Sequence, residues 1–108
     1  MAYNLKLAER IRSEHNGVPF VEKKMFGGVG FLLNGNMACG VHKDDFIVRV
    51  NPDKHTALLE KPHMRPFAMA GRPMKGWLVV DAEGFKAAKQ LSTWIKEGVA
   101  FALTLPPK

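Results

Sequence analysis

The spacing of apolar residues changes near residue 20, and this change constrains the fold more than any other feature of the sequence. Before it, apolar residues recur at helical spacing, at Leu5, Ala8 and Ile11, with His15 next on the same face. This spacing predicts an amphipathic helix over Tyr3–Glu14, stopped by Asn16-Gly17. From Phe20 to Val50 the apolar residues instead alternate with a period of two, which is typical of strands with one face on a core.

Turn residues divide this alternating region into antiparallel strands. A first strand is predicted over 20–26, and Gly27-Gly28 then bends or bulges the chain. Asn34-Gly35 is a strong hairpin signal, and a second turn is expected near 42–45. The residues predicted to share the core face of the later strands are Val29, Phe31, Leu33, Met37, Cys39, Val41, Phe46, Val48 and Val50.

Proline and glycine shape the remainder of the chain. Pro52 can open a short helix over 53–61, because proline lacks only a donor that the first turn leaves unpaired. The prolines at 62, 66 and 73 indicate an extended edge or a loop up to Gly76, where a strand over 76–80 begins. A final helix is predicted from the spacing of Phe85, Ala88, Leu91 and Ile95, with a continuation after Gly98.

These elements predict an α+β domain. An antiparallel β-sheet of about five strands would be packed by N-terminal and C-terminal helices, in the order α-β-β-β-β-α-β-α. A length of 108 residues suits a single domain, 1–108, with one core. No apolar run approaches the roughly 18–20 residues that span a bilayer, and the charged N-terminus does not resemble a signal peptide, so we expect a cytoplasmic protein.

The net charge of +6 is concentrated in one segment. Residues 61–76 contain Lys61, Arg65, Arg72 and Lys75 and no acidic residue. Such a basic segment suits nucleic acid, an acidic protein or an anionic metabolite, or it serves solubility alone. Arg65, Arg72 and Lys75 could contact phosphates while Phe67 and Trp77 stack on bases. The alternative places both aromatic rings in the core and leaves the prolines to shape a loop.

Lys24 with Gly27-Gly28 is a second candidate site. Two glycines let a ligand or another backbone approach closely, and Lys24 would supply a cation beside them. A phosphate cradle requires the glycines to open directly into a helix, whereas more strand is predicted here. The competing interpretation is a β-bulge with a solvated Lys24.

Catalytic and metal-binding patterns are not evident in the sequence. The four histidines lack the spacing of a metal site, and no serine or threonine has a nucleophile-elbow context. Cys39 is the single cysteine, so an internal disulfide is impossible, and its apolar surroundings predict a buried, inert thiol. We therefore expect a protein that is not an enzyme and needs no cofactor or metal.

Three segments resemble the signature blocks of the TfoX N-terminal domain family. They are KKMFGGVGFLLNGNMACGV, PHMRPFAMAGRPMKGW and WIKEGVAFALTLPPK, in the family's order. The best-known members of this TfoX/Sxy family are bacterial competence regulators, which promote transcription of DNA-uptake genes together with the cyclic-AMP receptor protein. Those regulators have a second, C-terminal domain, which we expect to be missing here, so their whole function is not expected to transfer.

The resemblance and the charge distribution together lead to three functional hypotheses. The first is a regulatory module that contacts a protein partner, such as the transcription machinery, or a second copy of itself. Its surface would be the basic 61–76 segment and an exposed strand edge. The second is direct DNA or RNA binding through Lys24, Arg65, Arg72 and Lys75. The third is an uncharacterised enzyme or small-ligand protein that uses the Gly27-Gly28 bend.

Overall fold

The computed structural model describes residues 4–14, 17, 19–25, 28–69 and 72–107. For residues 25, 68–69 and 72–75 the description covers the backbone alone. Part of the predicted bend, Gly27, and the predicted helix-face residue His15 lie outside the described residues.

Six strands and three α-helices form in the described part of the chain. The helices are α1 (Leu5–Ser13), α2 (His55–Leu59) and α3 (Ala88–Ala102). The strands are β1 (Val21–Met25), β2 (Gly28–Leu33), β3 (Asn36–His42), β4 (Asp45–Arg49), β5 (Met64–Met69) and β6 (Arg72–Val80). All pairings are antiparallel within one sheet of order β1-β2-β3-β4-β6-β5, which confirms the predicted α+β class.

The strand count exceeds the prediction by one because the proline-rich segment forms a hairpin. The strand predicted from Gly76 begins at Arg72 instead, and β5 pairs with it, so the predicted extended edge forms and the alternative loop does not. Pro66 is tolerated because β5 pairs with β6 alone and lies at the sheet edge, the position to which proline within a sheet is largely confined. The predicted helix over 53–61 is shorter, a 3-10 turn over Pro52–Lys54 followed by α2.

The tight turns lie where the sequence placed them. Asn34 and Gly35 have φ values of 55° and 82° and connect the paired residues Leu33 and Asn36. Positive φ at both central positions is the type I′ geometry that Asn-Gly favours. Gly28 pairs regularly with its neighbours, and the ladder of β2 and β3 shifts its register between Phe31 and Leu32 instead.

Helix α1 buries a face that differs slightly from the predicted one. The Asn4 side chain caps it by accepting a hydrogen bond from the Leu7 N–H at 3.1 Å. Leu7, Ala8 and Ile11 are buried, whereas Leu5 is 46% exposed. At 3.6 residues per turn, Leu5 lies about 110° from the centre of that buried stripe, so it projects toward solvent.

The core lies between the helices and one face of the sheet. Its members from β2, β3, β4 and β6 are Val29, Phe31, Cys39, Val41, Phe46, Val48, Leu78 and Val80. Leu91 and Ile95 of α3 pack against them, and this helix runs uninterrupted through Gly98. The Cys39 thiol is fully buried and its pKa is raised by desolvation, as expected for an inert thiol. No helix in the described ranges has the length and apolar character needed to cross a membrane.

Candidate functional site

The face of the sheet turned away from the core has a distinct composition. In β4 and β6, Ile47 pairs with Val79 and Arg49 pairs with Trp77. These residues alternate with the core residues of the same strands, so their side chains lie on the opposite face. We call this the outer face. Ile47 and Val79 are each only 5% exposed although neither belongs to the core cluster, so the centre of this face is shielded from solvent.

Aromatic rings line the outer face. The Phe67 ring centroid lies 5.9 Å from that of His42 and 6.4 Å from that of Trp77. Phe67 interrupts the register between β5 and β6, because Pro66 pairs with Leu78 but the next pair is formed by Ala68. All three rings are half-buried, so each presents part of its surface to solvent. Phe67 and Trp77 are therefore outside the core. The sequence interpretation that placed both rings in the core is wrong.

Arg49 lies between two aromatic rings. Its guanidinium carbon is 5.3 Å from the centroid of the Trp77 ring and 5.4 Å from that of the Phe101 ring in α3. Both distances suit cation–π attraction. Within the described residues Arg49 forms no ion pair, and its side chain is half-buried. The arginine charge is thus held by rings instead of being neutralised by a carboxylate.

Arg65 of β5 is neutralised by two carboxylates. Its Nε donates to Asp81 Oδ1 at 2.5 Å, and its Nη2 donates to Asp45 Oδ1 at 2.9 Å. The hydrogen bond to Asp81, with the charges of both carboxylates, raises the pKa of Arg65. The partners come from β4 and from the residue after β6, so the strand register brings them to the basic segment. The charge of that segment is therefore partly offset.

The model of the TfoX N-terminal domain matches residues 16–102. This chain belongs to the TfoX N-terminal domain family. The matched range starts after α1 and ends at the last residue of α3, so all six strands of this TfoX N-terminal domain belong to the family unit. Comparisons with curated proteins and with solved structures found no significant match.

The domain does not gather the basic residues predicted from sequence into one place. Lys24 is exposed on β1, and Arg65 lies on β5, at the opposite edge of the sheet. Arg72 and Lys75 lie in β6, but their side chains are outside the described part of the structure. Gly28 approaches β3 so closely that a Cβ atom there would overlap the Val41 carbonyl oxygen. Its lack of a side chain therefore serves strand packing.

Several residues of this aromatic and arginine cluster were not predicted as site residues. His42, Arg49 and Phe101 come from β3, β4 and α3, which are far apart in sequence. Alternation along β4 places Arg49 on the face of the sheet away from the core. This alternation was the only sequence feature that could have indicated Arg49 as a surface residue of the site. Its position between two rings depends on strand pairing and on where α3 ends. In the ranges that the structure describes, no group of three or more potential metal ligands forms.

Proposed function

We propose that this TfoX N-terminal domain is a non-enzymatic regulatory module that binds a protein partner through the outer face of its sheet. The observation that carries the proposal is Arg49, held between Trp77 and Phe101 on a surface with half-exposed rings. The module would act in the cytoplasm of a bacterium, and the transcription machinery is the partner class that the family's competence regulators suggest.

The composition of the outer face supports protein recognition. Protein interfaces are enriched in aromatic residues and arginine, and a few such residues supply most of the binding energy. Arg49 is already partly desolvated and held in place by two rings, so binding would require little further ordering of its side chain. Because Arg49 pairs with no carboxylate among the described residues, it also offers a charged group to an acidic or carbonyl-rich partner.

Two rival modes of action have less support. Direct nucleic-acid binding by the basic segment is weakened because Arg65 is paired with Asp45 and Asp81. Dimerisation by sheet extension is disfavoured because the edge strand β1 exposes Lys23 and Lys24, and the edge strand β5 contains Pro66. Lysine and proline on a strand edge both discourage pairing with another strand.

Affinity isolation with matched variants tests the proposal. Wild-type protein, Arg49→Ala and the control Lys6→Ala would be used on nuclease-treated lysate, because Lys6 is an exposed cation on α1. We expect a protein captured by wild type and by the control, and lost with Arg49→Ala. Binding of that purified protein by titration calorimetry should weaken about thirtyfold in Arg49→Ala, the effect of a hot-spot residue.

Two outcomes would contradict the proposal. Equal capture by Arg49→Ala and wild type would exclude the outer face as the binding surface. Capture that disappears with nuclease and falls steeply with salt would indicate nucleic-acid binding instead. Thermal unfolding of each variant followed by circular dichroism separates a lost contact from a lost fold.

A further inference from the structure

A cleft of about 420 Å³ lies on the helix side of the sheet, between the turn that precedes β5 and helix α3. Leu58, Pro62 and Trp94 supply apolar surface, and Lys61, His63 and Glu97 stand among its polar lining residues. Small-molecule sites have this composition, an apolar lining with a few polar groups, and volumes of roughly 300–1,000 Å³. The outer face lies on the other side of the sheet, so the cleft is a separate feature.

His63 occupies a backbone conformation that few residues adopt. Its φ of 67° is in the left-handed region, where a side chain meets steric hindrance. The Asp81 N–H donates to the His63 carbonyl oxygen at 2.8 Å and holds the turn against the end of β6. Gly84 leaves the required room, because a Cβ atom there would lie 3.0 Å from the His63 Cβ atom. Glycine would adopt this backbone conformation with less strain than histidine. Because strained residues concentrate at functional sites, the presence of His63 here points to a role for its side chain.

The polar groups on the two walls of the cleft differ in whether they form hydrogen bonds or ion pairs within the protein. On the α3 wall, Glu97 pairs with Lys54 at 3.7 Å, and Gln90 accepts a hydrogen bond from the Ala87 N–H at 2.9 Å. On the turn wall, the Lys61 ammonium and the His63 imidazole form no ion pair or side-chain hydrogen bond within the described residues. The two basic side chains of the cleft that have no partner among the described residues, Lys61 and His63, are therefore both on the turn wall.

We propose that this cleft binds a small aromatic carboxylate. The flat ring lies against the half-buried indole of Trp94 and the side chain of Leu58. The carboxylate accepts hydrogen bonds from Lys61 and His63 at the mouth of the cleft. The volume suits a molecule of one or two fused rings.

Naphthoate is a suitable probe, with the uncharged naphthamide as its isosteric comparison. The chain has two tryptophans, Trp94 in the cleft and Trp77 on the outer face, so their indole N–H signals in NMR report on the two surfaces separately. We expect naphthoate to shift the Trp94 signal saturably and leave Trp77 unchanged. Naphthamide should bind about fivefold more weakly, because it lacks the charge that Lys61 and His63 recognise.

Variants of the turn separate a binding role from a structural one. His63→Gly removes the imidazole and relieves the left-handed backbone, so the urea midpoint should stay unchanged or rise while naphthoate affinity falls. Lys61→Glu should weaken naphthoate about tenfold, and the control Lys6→Glu, an equal charge change on α1, should not. A Trp94 signal that does not saturate, or equal affinity of His63→Gly and wild type, would overturn the site. Equal affinity for naphthoate and naphthamide would overturn its preference for an anion.

Discussion

Gly98 of α3 lies directly against the backbone of Ala38 in β3. A Cβ atom on Gly98 would overlap the carbonyl oxygen of Ala38 and would lie 3.2 Å from a methyl carbon of Val48. The absence of a side chain at position 98 therefore sets how closely the C-terminal helix approaches the sheet.

Gly98→Ala should destabilise the protein although alanine favours a helix. The gain in helix propensity is about 1 kcal/mol, whereas overpacking against a strand backbone costs about 1–3 kcal/mol. We expect a net loss of about 1 kcal/mol in the free energy of unfolding, measured by urea denaturation. Ala100→Gly, at an exposed position of the same helix, is the control and should lose about 1 kcal/mol from propensity alone. Greater stability of Gly98→Ala than of wild type would show that α3 can move away from β3 without cost.

Gly76→Ala should be more damaging than a similar change at Gly17. Both glycines have positive φ, 89° and 78°, but a Cβ atom at Gly76 would lie 3.2 Å from the Val50 carbonyl oxygen, whereas one at Gly17 would have nothing within 4 Å. The Gly76 N–H also donates to His55 Nδ1 at 2.8 Å and its carbonyl accepts from Val50 N–H at 2.8 Å. We expect losses of about 2 kcal/mol for Gly76→Ala and about 1 kcal/mol for Gly17→Ala. Equal urea midpoints for the two variants would refute the crowding at Gly76.

The ion pairs of Arg65 should add little stability, and salt should reduce it. The side chains of Arg65, Asp45 and Asp81 are 49%, 38% and 39% exposed, so solvent screens their charges. A double-mutant cycle of Arg65→Gln and Asp81→Asn should give a coupling of about 0.5–1 kcal/mol at low salt, falling toward zero at high salt. Coupling that does not change with salt would mean that these charges are less exposed to solvent than their geometry indicates.

Arg12 and Glu22 should make stability depend on acid pH. Arg12 Nε and Nη2 each donate to a Glu22 carboxylate oxygen at 2.6 Å, joining α1 to the edge strand β1. The hydrogen bond from Arg12 lowers the pKa of Glu22 below its ordinary value of 4.5. A carboxyl whose pKa is depressed on folding stabilises the protein above its unfolded pKa, and this contribution is lost as pH falls through the folded pKa.

Glu22→Gln should therefore lose stability at neutral pH and match wild type in strong acid. Because both side chains are more than one-third exposed, the difference at neutral pH should be only about 0.3–0.5 kcal/mol. Urea denaturation from pH 6 down to about pH 3 measures it. A constant difference between the two proteins across that range would assign the effect to packing and not to the charge.

Local patterns determined much of the fold. The helical spacing before residue 16 and the alternation after residue 20 distinguished α1 from the strands, and Asn34-Gly35 specified its hairpin, because these signals depend on neighbours a few residues apart. The signature segments identified the family, which the match over residues 16–102 confirms. The same reasoning left the segment that forms β5 open between an extended edge and a loop, since proline is compatible with a strand only at an edge, and strand order decides which strand is the edge.

The surfaces depended on tertiary structure. Strand register placed Asp45 and Asp81 beside Arg65. These carboxylates offset the positive charge of Arg65, which has no acidic neighbour within the 61–76 segment. The end of α3 put Phe101 on one side of Arg49, and the pairing of β4 with β6 put Trp77 on the other. His63 and Gly84 meet because β5 and β6 form a hairpin, and the pairing of Met64 with Val80 brings the residues that flank this hairpin together. Electrostatics and packing act through space over a few ångströms, and only the folded chain determines which distant residues come that close.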